Sequence, residues 1–342
     1  MLKNLKSLVP VVALLVLAVG SGTFCSGQDE PTSAEGEKIV WKFHTLIEER
    51  APITQSMKKD LCDPVYEKTN GGLEIVMYPG GVLGSERDVM QSLQLGSVEV
   101  MLHTAGIVGI FLPEFNFLSL PFLFQDKAHL DRFAETNSWK NLTKKTENHG
   151  FYFIEIGALG FRMPNTCEKL IKNPSDFKGM KFRTMEVPLQ IETIQALGGI
   201  ATPLPWGEVY QSLKTRVVDG WFNDALAFRN LSTYEVAPYV TELPLFGSFA
   251  CLSISKSAFD SLPKEYQKIV WEVFSKNAKK AINTGYEDNL DILAELEQTK
   301  FKDFHRITDL SAFRDSVSSI YDDFVNKIPE SKSILDEVMS SK

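Results

Sequence analysis

Short strand-forming segments alternate with helix-forming segments along this chain, and that alternation limits its fold more than any other feature. Residues 39–44 (IVWKFH) and 73–78 (LEIVMY) have the β-branched and aromatic composition of strands. The helical stretch between them ends at an Asn-Gly-Gly turn, and Ser85 can cap a second helix over residues 86–95. The pattern predicts an α/β architecture, in which helices cover the faces of the sheet.

The same alternation continues through the rest of the chain. It predicts strands at residues 98–102, 151–156, 181–184, 200–203 and 217–221 and near Val240 and Leu252, with helices at residues 129–135, 140–149, 188–197 and 207–213. A phenylalanine-rich stretch between Pro113 and Pro121 is too interrupted to form one regular element, and most of its phenylalanines are expected in the core.

A long helix is predicted to begin at Pro263 and to continue past Leu293, because its apolar residues recur on one face. A chain that builds one lobe, then a second, and returns through a long helix encloses a cleft. Clefts between domains are preferred ligand sites. We predict lobe I at residues 39–159 plus 249–288, and lobe II at residues 160–248 plus 289–338.

The composition is that of a globular protein and excludes several classes. A chain of 342 residues has room for about two domains. Its 44% hydrophobic and 23% charged residues exclude a wholly disordered chain and a polytopic membrane protein. With 36 Lys and Arg against 44 Asp and Glu, the net charge is -8, so nucleic acid is not an expected partner.

The N-terminus has the layout of a secretory signal peptide. Lys3 and Lys6 precede an apolar run over residues 8–19, and small residues follow it. We predict a signal peptide at residues 1–25, a flexible linker at residues 26–38 and a periplasmic location. Cys25 stands where a lipoprotein carries its acylated cysteine, but the bulky Phe24 before it argues against lipidation, and both outcomes stay open.

No local motif predicts a metal site, a cofactor or a catalytic centre. The five histidines form no HExxH pair, and the glycines near Pro79 lack the spacing of a phosphate-binding loop. Cys62, Cys167 and Cys251 are widely spaced and are expected to be buried free thiols. A catalytic site assembled in three dimensions stays open, so an enzyme is the alternative class.

Residues 173–223 carry the most informative motifs. These are SDFKGMKFR at residues 175–183, ALGG at 196–199, PWGEVY at 205–210 and VVDG at 217–220. The segment resembles the signature region of the solute-binding proteins of tripartite ATP-independent periplasmic (TRAP) transporters, of the dicarboxylate-binding (DctP-like) type. The resemblance extends over nearly all of the chain after the linker.

The resemblance implies a two-lobe periplasmic binding protein fold, with a ligand cleft between the lobes and a long helix spanning both. It implies a non-enzymatic protein, without metal or cofactor, that captures a small organic acid by hinge closure and delivers it to a membrane permease. A tetratricopeptide-repeat partner occurs in one branch of the family. Two alternatives stay open: a more hydrophobic carboxylate as the ligand, and a periplasmic enzyme that acts on a carboxylic acid.

The resemblance also implies ligand-binding residues. Arg183 matches the arginine that holds the ligand carboxylate, a role suited to a guanidinium because it pairs bidentately and keeps its charge. Arg162 matches a second arginine, for which a structural ion pair is the alternative. Asn223 matches an asparagine that closes on the carboxylate, and Trp206 matches an aromatic residue beside the pocket.

Further candidates come from the first lobe and from departures from the family pattern. His44, Glu86 and Thr104 match positions that contribute polar contacts in relatives. Phe222 and Asp224 replace the acid and the proline that relatives commonly carry there. Phe222 therefore predicts a more apolar rim around the ligand.

Overall fold

The structure is a computed structural model that describes residues 38–342. The predicted signal peptide, Cys25 and the predicted linker, apart from Lys38, lie outside the described residues. Within residues 38–342, no helix combines the length and the apolar character needed to cross a bilayer.

The strands of the described residues form one mixed sheet. They are β1 Ile39–Thr45, β2 Leu73–Tyr78, β3 Val100–Thr104, β4 Phe151–Thr166, β5 Lys181–Thr184, β6 Ile200–Pro203, β7 Gly220–Asn223, β8 Tyr239–Glu242, β9 Phe246–Ser255 and β10 Asp303–Arg306. The sheet order is β2-β1-β3-β9-β4-β7-β5-β6, and β8 joins β4 to β10. β1 is parallel to β2 and β3, β5 is parallel to β6 and β7, and β9 is antiparallel to β3 and β4.

Helices connect these strands and cover the sheet. They are α1 Pro52–Met57, α2 Asp63–Lys68, α3 Glu86–Leu95, α4 Ala105–Phe111, α5 Lys127–Ala134, α6 Asn137–Lys144, α7 Pro188–Ala196, α8 Val209–Lys214, α9 Ala225–Asn230, α10 Lys256–Ser261, α11 Lys264–Thr299, α12 Ser311–Ser316, α13 Ser319–Lys327 and α14 Ser331–Ser340. A π-helical turn at Lys58–Cys62 joins α1 to α2. As predicted, the Ser85 side chain caps α3 and the left-handed Gly96 ends it.

β4 has 16 residues and is much longer than predicted. Its residues from Phe151 to Arg162 pair with β9, and from Met163 onward they pair with β7. The prediction that this strand ends at Ile156 was wrong, because Gly157 and Gly160 lie within the strand and do not interrupt it. A Cβ at Gly157 would lie 2.5 Å from Ile282 Cγ2, so the glycine lets α11 pack directly on the strand.

Two predicted strands begin later than their apolar residues suggested. Residues 98–102 and 217–221 were predicted, but the strands start at Val100 and Gly220. The amides of Val98 and Val218 each donate to a carbonyl near the end of the preceding helix, at 3.3 Å. Both valines therefore belong to the turn that ends the preceding helix, and the strand begins two residues later.

The change of partner along β4 divides the sheet into two halves. We call β2-β1-β3-β9, with β4 up to Arg162, the first half, and β7-β5-β6, with the end of β4, β8 and β10, the second half. α11 contacts α1 beside the first half and α9 beside the second, as expected of a helix that spans both lobes. The residue ranges given above for the two lobes stay a prediction.

α4 comes directly before the phenylalanine-rich stretch, which itself contains a 3-10 helix at Pro113–Ser119. Neither was predicted, but Phe115, Phe117 and Phe124 are buried in a large aromatic cluster, as expected. The same cluster includes Ile107 of α4, Met101 of β3 and Phe182 of β5, so it joins α4 to both halves of the sheet.

Candidate functional site

A cavity of about 540 Å³ lies where the two halves of the sheet meet. The first half contributes the ends of β1 and β3 and the starts of α3 and α4. The loop between β5 and α7, the end of β7 and the start of α9 form the opposite wall, and the middle of β4, at Leu159 and Arg162, lies between the two. The volume is within the usual range of small-molecule sites.

Arg183 lies at the carboxyl end of β5 and is only 5% exposed. Its Nε donates to the carbonyl of Leu204 at 2.9 Å, which fixes the plane of the guanidinium. Its two terminal nitrogens make no hydrogen bond and no ion pair within residues 38–342. A fixed fork with unused donors at the wall of a cavity is suited to bind a carboxylate.

Arg162 enters the same cavity from β4 and is 6% exposed. Among the described residues its guanidinium has no hydrogen-bond or ion-pair partner. Burial lowers the pKa of Arg162, while the charges of Asp224 and Glu86 raise it. Burial and the charge of Arg162 also lower the pKa of Arg183, against the charge of Glu86. A bound anion would stabilise both charges.

Glu86 and Thr104 face these arginines from the first half of the sheet. Glu86 Oε1 accepts from the Thr104 amide at 2.7 Å, and its Oε2 accepts from the Thr104 hydroxyl at 2.9 Å. Burial raises the pKa of Glu86, and the hydrogen bonds from Thr104 and the charges of both arginines lower it. The Thr104 donors therefore hold the carboxylate beside the arginines without a direct ion pair.

Asn223 and Asp224 reach the cavity from the end of β7. Asn223 Oδ1 accepts from the Asp224 amide at 3.0 Å, so its amide nitrogen is the group left to donate to a ligand. Asp224 Oδ1 caps α9 through the Ala227 amide at 2.9 Å, and Ser248 donates to Asp224 Oδ2. From the sequence, Asp224 was noted only because it stands where relatives carry a proline. An aspartate directly before a helical segment is also an N-cap signal.

Trp206 also lines the cavity, where its half-buried ring packs on Trp221 with centroids 5.9 Å apart. His44 was expected at the site, but it does not line the cavity. It lies one residue short of the end of β1, beside Met101 of β3, while the next residue, Thr45, reaches the cavity. His103 lines the cavity instead, bonded to Thr104 O at 3.0 Å and to Ser253 Oγ at 2.9 Å.

Phe222 does not form the rim that the sequence suggested. Strand alternation turns it away from the cavity that its neighbour Asn223 faces, and it packs on Phe177 and Phe182 in the core. The apolar part of the wall comes from residues that sequence reasoning missed. These are chiefly Ile107, Ile110, Leu159, Met185, Val187, Leu204, Leu226 and Phe249.

The described residues contain no group of histidines, cysteines and acids that could hold a metal ion. Cys62, Cys167 and Cys251 are buried free thiols, as expected. Burial raises the pKa of Cys62 and of Cys251, which keeps both thiols protonated.

A mixed α/β fold in two halves, with two buried arginines that are unpaired within residues 38–342 at the cavity between them, is the arrangement of a cleft-type binding site for anions. The model of the DctP family, described as bacterial extracellular solute-binding protein, family 7, matches residues 43–328, and the chain belongs to this family. Proteins of this family serve transport and are periplasmic. The family expected from the motifs of residues 173–223 is confirmed.

Relatives match along nearly the whole chain. A solute-binding protein of Chromohalobacter salexigens is 26% identical over 302 residues, which cover 88% of each chain. A TRAP periplasmic solute-binding protein from Sulfitobacter, solved with β-D-galacturonate, is 29% identical, with a TM-score of 0.83 over 87% of this chain and 99% of that one. Another from Roseobacter denitrificans, solved with β-D-glucuronate, is 26% identical, with a TM-score of 0.83 over 89% and 100%. The predicted fold class is confirmed.

Proposed function

We propose that this protein captures a small organic acid in the cavity between the two sheet halves and delivers it to a TRAP permease. The observation that carries the proposal is the pair Arg162 and Arg183. Both guanidiniums are at least nine-tenths buried, and both have hydrogen-bond donors without a partner in the described residues. The sugar acids bound to the two solved relatives are carboxylates.

In the proposed complex Arg183 binds the carboxylate with its two terminal nitrogens, since Nε is held by Leu204. Arg162 donates from the β4 side, and the Asn223 amide nitrogen donates without adding a further charge. Glu86 and Thr104 contact the ligand from the first half of the sheet, and Trp206 covers it. The contacts come from both halves, so the ligand favours the closed form.

The proposed lobes are those given from the sequence, with the hinge where β4 changes partner. Ligand capture then closes the halves over the cavity, as in other periplasmic binding proteins. We propose export by a signal peptide at residues 1–25, with lipidation of Cys25 as the alternative to cleavage. The permease is the proposed partner, and a tetratricopeptide-repeat partner stays a prediction.

The test is calorimetric titration of the exported protein, unfolded and refolded to remove bound ligand, with mono- and dicarboxylates and sugar acids. We expect at least one acid to bind to the wild-type protein and to lose affinity in Arg183→Ala. The matched control is Arg314→Ala, which removes an exposed arginine outside the cavity. Binding that survives Arg183→Ala, or no binding of any acid, would refute the proposal.

The same titrated samples separate a binding protein from an enzyme. Mass spectrometry of each acid after prolonged incubation with the protein should recover the acid unchanged. Conversion of the acid at a rate that depends on protein concentration would favour the enzyme alternative.

A further inference from the structure

We infer that the ligand is a monocarboxylate with an apolar body, aliphatic or aromatic, and not a polyhydroxylated acid or a dicarboxylate. The inference rests on the proposed function and specifies the chemical class of its ligand. Three features of the cavity carry it: its charges, its few unoccupied polar groups and its apolar walls.

The buried charges of the wall balance one another. Arg162 and Arg183 face Glu86 and Asp224, which are 9% and 3% exposed. The further cation in the described part of the wall, Arg87, is half exposed and pairs with Glu186 at 3.0 Å. One ligand carboxylate can take up the arginine donors, but a second would find no unpaired buried cation. Burying an unpaired charge is strongly unfavourable.

The hydroxyl and imidazole groups of the wall are already engaged within the protein. The Thr104 hydroxyl donates to Glu86, and the Ser248 hydroxyl donates to Asp224. Both ring nitrogens of His103 have protein partners, and the Ser85 hydroxyl bonds to Asp88 at 2.7 Å. Few uncharged groups of the wall therefore remain to replace the water around a ligand that carries several hydroxyls.

Two amides are the exceptions: the Asn223 amide nitrogen, which is expected to bind the carboxylate, and Asn230. Asn230 lines the cavity, and its buried Oδ1 has no hydrogen-bond partner in the described residues. One such acceptor accommodates a single hydroxyl or N–H on the ligand. It does not accommodate the four or five hydroxyls of a sugar acid, each of which loses water on burial.

Apolar side chains face the cavity from both halves of the sheet. Ile107 and Ile110 of α4 lie on one side, with Val187 on the loop after β5 and Leu226 of α9 on the other. The approach is close, since a Cβ at Gly106 of α4 would lie 3.0 Å from Val187 Cγ2. An apolar ligand body between these walls loses contact with water on closure, which favours binding.

A matched set of three six-membered-ring acids tests the inference by calorimetry: cyclohexanecarboxylate, D-glucuronate and trans-cyclohexane-1,4-dicarboxylate. Straight-chain and aromatic monocarboxylates of four to ten carbons are titrated beside them. We expect the best apolar monocarboxylate to bind at least tenfold more tightly than the other two classes. Glucuronate or the diacid binding equally well or better would overturn the inference and leave the proposed function intact. Failure of every acid would overturn both.

Two variants test the reasons given. Ile110→Ser should weaken the apolar acid at least fivefold, while the control Ile200→Ser, at a half-exposed position outside the cavity, should not. Asp224→Asn removes one fixed negative charge and keeps an N-cap acceptor. It should narrow the preference for the monocarboxylate over the diacid. An unchanged preference, or an Ile110→Ser protein with wild-type affinity, would contradict the inference.

Discussion

Removal of the Arg183 guanidinium is the perturbation whose consequences the structure defines most closely. The side chain is 5% exposed, and its terminal nitrogens make no ion pair within residues 38–342, so a bound acid would supply their partner. In Arg183→Ala the ligand carboxylate would be buried without this partner. Truncation of one member of a buried, hydrogen-bonded charge pair costs about 2–5 kcal/mol, or roughly 30- to 5,000-fold in affinity.

Arg183→Lys tests whether binding needs only the positive charge or also the bidentate hydrogen bonding of the guanidinium. An ammonium keeps the positive charge, but it cannot bond to Leu204 and to both carboxylate oxygens in the geometry of the guanidinium. We expect Lys at this position to recover little of the lost affinity. If Lys restored wild-type affinity, bidentate recognition would be wrong, although an electrostatic role would stand.

The fold should survive both changes. Arg183→Ala costs the bond to the Leu204 carbonyl, a net loss of about 1 kcal/mol for one hydrogen bond. It also removes a buried charge beside Arg162, which offsets part of that loss. Calorimetry gives the affinity, and thermal unfolding of the ligand-free proteins gives the stability. Arg183→Ala that unfolds like the wild type and binds the acid within threefold of it would refute the assigned role.

Three further outcomes are expected. Burial lowers the pKa of His44 and His103 to about 4. Below about pH 6.5 the unfolded state therefore takes up protons that the folded state does not. The free energy of unfolding should fall as the pH falls from 6.5 to 4, by roughly 2 kcal/mol per histidine between pH 7.5 and 5.0. Equal urea midpoints at those two pH values would contradict this. Arg87→Ala breaks the exposed ion pair with Glu186 at the cavity mouth. The variant should release ligand faster in stopped-flow experiments, with little change in melting temperature. An unchanged release rate would show that this ion pair does not help to hold the cavity closed. Gly157→Ala should destabilise the protein by a few kcal/mol, because α11 must move away from β4; chemical unfolding measures this, and a loss below about 0.5 kcal/mol would show that the helix yields easily.

Much of the fold could be predicted from local pattern. The strands at residues 39–44, 73–78 and 181–184 and the start of the long helix follow from composition and capping, which act within a few residues. The length of β4 could not be predicted this way. Its glycines are explained by the close packing of α11, which is more than a hundred residues away in the sequence.

The candidate site was likewise predicted only in part. Six residues that match the family pattern line the cavity, and their contacts with a ligand stay a prediction: Arg183, Asn223, Trp206, Arg162, Glu86 and Thr104. Phe222 was placed at the rim because it replaces an acid of the family pattern. The predicted strand ended at residue 221, but β7 continues to Asn223, and side chains alternate along it, so Phe222 and Asn223 point to opposite faces. The apolar wall from α4 was missed because the helix lies in a stretch without clear periodicity.

The most direct test of the central claim is a crystal structure of the protein with its bound acid. We expect a single carboxylate with its oxygens about 2.7–3.1 Å from nitrogens of both Arg183 and Arg162. We also expect Asn223 to donate to the same carboxylate, with the apolar body of the acid between α4 and the loop after β5. An acid bound in the cavity with its carboxylate turned away from both arginines, or bound elsewhere on the protein, would contradict this claim.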